Sequence, residues 1–228
     1  MQTKLEARLI SLTTPTIETL IPSAEALVAY CARVSSPDNQ NNHDTTDNLL
    51  AYCMRNNHWS IFEMVDATVE IQAPRDISRQ LIRHRSFVFQ EFSQRYSDQI
   101  DFTMREVRQQ DHKNRQNSIG YEDEGFKAEL EGDFFKAVQY AQDMYSGLVA
   151  DGVAKECARV LLPEGLTMSK LYMKGSLRSW ITYLKVRLDK TTQLEHRILA
   201  DKIKDCLKPA FPTILKKLST EFESLIDG

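Results

Sequence analysis

Three observations predict an α+β fold for this chain: polar and apolar residues alternate over 65–73, helical periodicity fills most of the remainder, and strands and helices do not alternate regularly as a parallel sheet requires. With 228 residues the chain can bury a substantial core, and no Ser/Gly/Pro-rich linker divides it, so one domain over 1–228 is expected.

Taken in order, residues 1–14 alternate polar and apolar side chains and lack the continuous apolar core of a signal peptide. Helices are predicted over 23–34 and 47–56. Val65, Ala67, Val69, Ile71 and Ala73 then fall on one face while Asp66, Thr68, Glu70 and Gln72 fall on the other, the pattern of a half-buried strand. Pro74 breaks that pattern, Asp76 is the expected N-cap, and Ile77, Leu81 and Ile82 recur at helical spacing. On that helix Arg75, Arg79 and Arg83 stand at i, i+4 and i+8, so a column of guanidinium groups is expected to run toward the aromatic stretch that follows.

The helix leads into Arg83-His84-Arg85-Ser86-Phe87-Val88-Phe89-Gln90-Glu91-Phe92-Ser93-Gln94-Arg95, where cationic and hydrogen-bonding groups crowd around apolar ones. If this stretch is extended, Glu91, Ser93 and Arg95 share a face. Charge so placed among phenylalanines calls for fixed partners such as phosphate or carboxylate, which makes the segment a candidate anion site.

Residues 105–118 crowd Arg, Gln, Asn, Lys, Asp and His around Val107 and read as an exposed, mobile loop. Leu130, Phe134, Phe135, Val138, Ala141, Tyr145 and Leu148 mark a long amphipathic helix that Gly152 can end. A further helix carries Leu177, Ile181, Leu184 and Leu188. Thr192 with Glu195 suggests a capping box opening another that Pro209 ends, and a last one is expected over 213–226.

Chain-wide chemistry narrows the function. The formal charge of −3 argues against general nucleic-acid binding. Cys31, Cys53, Cys157 and Cys206 are scattered without a Cys-x-x-Cys pair, which argues against a metal site or a disulfide framework and suits a reducing cytoplasm. No stretch approaches a membrane span. Gly-x-Gly-x-x-Gly is absent and the chain has only eight glycines, so any dinucleotide phosphates must be gripped by side chains rather than by a backbone cradle.

Arg83-His84-Arg85 followed after seven residues by Ser93 resembles the signature of the flavin-dependent thymidylate synthases. Three more segments resemble that family in the family's order: His58-Trp59-Ser60-Ile61-Phe62-Glu63, then Ala158-Arg159-Val160-Leu161-Leu162-Pro163 with Thr167, and Ser176-Leu177-Arg178-Ser179-Trp180 followed by Arg187, Gln193 and Glu195. The chain departs from the family pattern at Gln90, Gln94, Ser176, Thr182 and Thr191, where members often carry Asn, Gly, Asn, Asn and His.

The resemblance implies a sheet flanked by long helices and a homotetramer with active sites between subunits. It also implies reductive methylation of dUMP to dTMP, with FAD as cofactor and NADPH and 5,10-methylenetetrahydrofolate as co-substrates. Carried over position by position, FAD would meet Ser60, Arg83, His84, Arg85, Glu91, Ser176, Arg178 and Thr182. The nucleotide would meet Gln80, Arg83, Glu91, Ser93, Gln94, Arg95, Arg159 and Arg187, with Arg159 coming from a neighbouring subunit. Arg187 would be catalytic, stabilising charge on the N3/O2 edge of the pyrimidine and so raising the nucleophilicity of C5. His84 gains weight from its motif; His43, His112 and His196 stand in none.

Two readings of another class stay open on the residues alone. A different flavin enzyme acting on another nucleotide would keep the Arg83–Arg85 triplet. An RNA-binding protein could use the same basic and aromatic segment for phosphates and stacked bases.

Overall fold

The computed structural model describes residues 3–218. Its centre is a four-stranded antiparallel sheet in the order β1-β2-β6-β3, built from β1 (Glu6–Leu12), β2 (Asp66–Pro74), β3 (Val88–Glu91) and β6 (Met168–Ser176). A two-stranded ribbon of β4 (Gln109–Gln110) and β5 (Ser118–Ile119) lies apart from it. The helices are α1 (Ala24–Ala32), α2 (Thr46–Arg55), α3 (Arg75–Leu81), α4 (Glu124–Ala150), α5 (Lys155–Ala158), α6 (Leu177–Arg187) and α7 (Leu194–Leu207), and residues 212–218 are helical as well. The α+β class is the one expected from sequence. The expected last helix lies outside the described residues beyond 218.

The alternation in β2 does what it predicts. Ala67, Val69, Ile71 and Ala73 are buried, and with Leu171 and Met173 of β6 they floor one core. Ile77 and Leu81 of α3, and Leu177, Trp180, Ile181 and Leu184 of α6, close over that floor. The opposite face of the sheet is polar: Arg8 donates to Glu70 and Lys170 pairs with it.

Two strand–helix units position the site. α3 follows β2 directly and α6 follows β6 directly. The register sets Asp66 opposite Ser176 and Pro74 opposite Met168, so the helices leave the central strand pair from its two ends and run back over the same face. Trp180 pins α6 to the sheet by donating Nε1–H to the Ala67 carbonyl at 3.2 Å.

Several local expectations are corrected. Asp76 does not cap α3; the helix opens at Arg75 after Pro74, and Asp76 receives a two-pronged bond from Arg105 at 2.8 and 2.9 Å. The arginine column does not form, because α3 ends at Leu81, Arg75 faces Glu91 at 3.7 Å and Arg79 pairs with Glu164. Glu91, Ser93 and Arg95 do not share a strand face: β3 ends at Glu91 and the chain turns, with the Tyr96 and Ser97 amides bonding to the Ser93 carbonyl. The Thr192/Glu195 capping box is absent, since α7 is capped at Gln193 without a side-chain bond and Thr192 donates to the Val186 carbonyl. Residues 109–117 are mostly exposed, as expected, and the segment is tied down at its start by Arg105 on Asp76 and Arg108 on Glu195.

No helix among the described residues is long and apolar enough to cross a membrane.

Candidate active site

His84 of the signature, Arg187, Gln80 and His196 gather where the end of α3, the turn that follows it, the end of α6 and the start of α7 meet. Arg187 leaves the last turn of α6 beside the buried Tyr183 and Leu184 and donates Nε–H to His84 Nε2 at 3.0 Å. To accept there, His84 must be a neutral imidazole carrying its proton on Nδ1. Burial, reinforced by the charges of Arg187 and Arg83, holds its pKa down at about 4. The ring stands edge-on to Tyr183 at 5.1 Å and to Phe87 at 6.4 Å.

This pairing leaves Arg187 with its full charge. A carboxylate partner would neutralise it, whereas neutral His84 only orients it. The bond uses Nε–H, so both terminal NH2 groups stay available in the planar fork that matches a two-acceptor edge. Burial, with Arg83 adding to it, pulls the Arg187 pKa below the ordinary guanidinium value.

Gln80, the penultimate residue of α3, reaches across to α7. It donates Nε2–H to Gln193 Oε1 at 2.7 Å, while His196 Nδ1 lies 2.9 Å from Gln80 Oε1. His196 is fully buried, and burial, reinforced by Arg187 and His84, keeps its pKa down at about 3. Sequence reasoning gave His196 no role, because a lone histidine carries no signal of a partner 116 residues away.

Arg83 and Arg85 are exposed, and neither has an ion-pair partner among the described residues. What shapes the turn that carries them is Phe87, wedged among Trp180, Tyr183 and His84. A Cβ on Gly175 would come within 2.5 Å of the Phe87 ring, so only glycine leaves room for that wedge.

The remaining site residues fall into separate groups. Glu91 accepts from Ser169 Oγ at 2.7 Å and faces Arg75. Ser93 Oγ accepts from the Arg95 amide, and Arg95 pairs with exposed Glu156 at 3.4 Å, one helical turn before Arg159. Gln94 is buried, and its amide nitrogen has no hydrogen-bond partner among the described residues. At the other end of α6, Arg178 pairs with Glu63 beside exposed Ser60, Thr182 donates to the Arg178 carbonyl, and Ser176 accepts from the Ser179 amide as the helix cap. Arg178 and Thr182 share the exposed face of α6 while Arg187 leaves from the side that packs inward, nine residues and about 14 Å along the axis at 1.5 Å per residue.

Sequence reasoning missed Arg108, which forms a 2.6 Å bond to the almost fully buried Glu195. Burial opposes the charge on Glu195, but hydrogen bonds from Arg108, its own amide and Gln193 hold the carboxylate below its usual range.

Residues 16–213 match the family profile described as thymidylate synthase complementing protein. The chain is 48% identical over 218 residues to the flavin-dependent thymidylate synthase of Synechocystis sp., covering 94% of this chain and 99% of that one. It is 43% identical over 215 residues to a probable flavin-dependent thymidylate synthase of Paramecium bursaria Chlorella virus 1, with 94% and 99% covered. The fold is similar to the crystal structure of a UMP/dUMP methylase, PolB, from Streptomyces cacaoi bound with 5-Br dUMP, at a TM-score of 0.81 and 24% identity over 96% of each chain.

Proposed function

This chain belongs to the flavin-dependent thymidylate synthase family, and we propose that it methylates dUMP reductively to dTMP, with FAD as cofactor, 5,10-methylenetetrahydrofolate as carbon donor and NADPH as reductant. The observation that carries this reading is Arg187, fully charged, held through Nε by the neutral His84 of the signature and close enough to Arg83 to feel its charge.

The residues present fit a flavin dinucleotide. Arg83 and Arg85 offer two exposed guanidinium forks without carboxylate partners among the described residues, and a diphosphate asks for such donors where no glycine-rich loop is available. By the family resemblance, Ser60, His84, Glu91 and Arg178 would add polar contacts to the same cofactor. Ser176 and Thr182 are engaged within α6, yet each hydroxyl retains accepting capacity. When bound, the flavin supplies the redox chemistry.

The chain's own residues then bind and polarise the nucleotide. Arg95, Arg159 and the Ser93 hydroxyl supply charge-assisted donors for a phosphate dianion, with Gln94 beside them. Gln80, Arg83 and Glu91 orient the nucleoside. Arg187 directs its two terminal NH2 groups at the pyrimidine, where they stabilise negative charge on the N3/O2 edge and leave C5 more nucleophilic. No cysteine enters this scheme, and Ser93 has no adjacent base to make it a nucleophile.

We assign the working form to a homotetramer in the cytoplasm, with Arg159 reaching a neighbouring subunit's nucleotide. In support, α4 leaves Phe126, Phe134, Phe135, Tyr140 and Met144 at 41–69% exposure, more apolar surface than one helix ordinarily gives to water.

Release of tritium from 5-tritiated dUMP, with UMP and other nucleotides as competitors, tests the reaction. Release that requires FAD, NADPH and methylenetetrahydrofolate, and that UMP inhibits weakly, is expected. Release from another nucleotide in preference would reassign the substrate. Flavin-independent RNA affinity that falls steeply with salt, with no release, would overturn the enzyme reading.

A further inference from the structure

The hydrogen bonds around Gln80 have a direction that one charged group dictates. Glu195, ionised and bonded to Arg108 at 2.6 Å, can only accept. Gln193, 3.0 Å away, must therefore turn its NH2 toward Glu195, which points its carbonyl oxygen at Gln80. Gln80 must in turn present its NH2 to that oxygen, 2.7 Å away, and its own oxygen to His196 Nδ1 at 2.9 Å. His196 Nδ1 must then carry the proton, which leaves Nε2 bare. Consistent with that, Nε2 is buried with no hydrogen-bond partner among the described residues, as is the hydroxyl of Tyr183, whose ring lies 5.9 Å from the imidazole.

We propose that His196 is a positioning residue for the nucleotide: together with Arg108, Glu195 and Gln193 it locks the Gln80 amide in one of its two flip states, and so fixes the order of donor and acceptor that Gln80 offers the substrate. The positioning role rests on Gln80 meeting the nucleotide; the lock itself does not. An amide reads a partner only if its oxygen and nitrogen are distinguished. Rotation by half a turn would exchange a donor for an acceptor at the same place. His196 stays neutral as the lock requires, because it is buried and faces the cationic Arg187, with His84 and Tyr183 as its other titratable neighbours.

Two experiments test this. In protein labelled with nitrogen-15 histidine, His196 should show a protonated Nδ1 and a bare Nε2 as a single tautomer from pH 8 to pH 5, and Glu195→Gln should convert it to a mixture. An Nε2-protonated wild type would overturn the lock, whatever the protein's activity.

The second is a double-mutant cycle on dUMP affinity. His196→Phe should weaken dUMP binding on the order of tenfold, the scale of one hydrogen bond lost or reversed, while leaving FAD content near wild type. In a Gln80→Ala background the same change should cost nothing further. Equal losses in both backgrounds would make His196 merely structural. Should His196→Phe fail to fold, Glu195→Gln completes the same cycle. A wild type that binds no dUMP would remove the nucleotide reading and the positioning role together, while the tautomer measurement would still judge the lock.

Discussion

A neutral imidazole holds the guanidinium of Arg187 in place. Arg187 is oriented but not neutralised by His84. Arg187→Ala should lower kcat by about 10²–10³, the range found on removing one preorganised charge-stabilising donor, while the bound flavin's absorbance persists. Unchanged turnover would take Arg187 out of the chemistry. The two histidines also make stability depend on pH. Both fall from the ordinary value of 6.5, His84 to about 4 and His196 to about 3. The unfolded chain therefore takes up protons that the native state refuses, and stability present above pH 6.5 is lost as pH falls through 4 toward 3. Melting temperatures from pH 7.5 down to 4 should fall, and His84→Asn should fall less steeply; equal slopes would mean that His84 is not neutral in the native protein. Arg83, His84, Arg85 and Arg187 were legible in the sequence because they sit in motifs. His196 was not, since its value comes from Gln80, brought to it by the packing of α7.

Elements were legible where periodicity was clean and hidden where glycine and tertiary pairing took over. β2 followed from the alternation over 65–73 almost to the residue, whereas α3 opens before its expected cap at Asp76 and stops at Leu81, short of Arg83. β6, a central strand, was not foreseen, because Met168–Ser176 has no Val, Ile or Thr and carries Gly175 near its end, although Leu171 and Met173 do alternate with Lys170, Tyr172 and Lys174. That glycine is where Phe87 seats. Gly175→Ala should cost about 1–3 kcal/mol as an overpacked contact, and it should also weaken flavin retention, because Phe87 holds the turn bearing Arg83 and Arg85. A variant with lower melting temperature but full flavin affinity would separate the wedge from the site. Asp76 and Thr192 misled for one physical reason: their expected caps were local, and in the fold Asp76 is drawn to Arg105 while Thr192 turns to the Val186 carbonyl.

At the scale of the whole molecule, α3, the turn after it, α6 and α7 converge around Arg187, and the sheet register sets the ends from which α3 and α6 leave the central strands. Composition excluded a glycine-rich cradle and pointed to side-chain phosphate binding, but neither composition nor one chain's periodicity reveals how copies associate. The exposed aromatic residues of α4 are the surface on which that question turns. Phe134→Glu with Tyr140→Glu should shift sedimentation from a tetramer to smaller species at unchanged helix content, with turnover lost in step. A monomeric but fully active double variant would remove the requirement for neighbouring subunits. Adding FAD to the purified protein and following NADPH oxidation and dTMP formation, with methylenetetrahydrofolate present, as dUMP is titrated in, reads the whole reaction at once. Bound flavin, oxidation stimulated by dUMP and stoichiometric dTMP are the predicted result; flavin that binds but oxidises NADPH without regard to dUMP, and yields no dTMP, would contradict the proposed reaction.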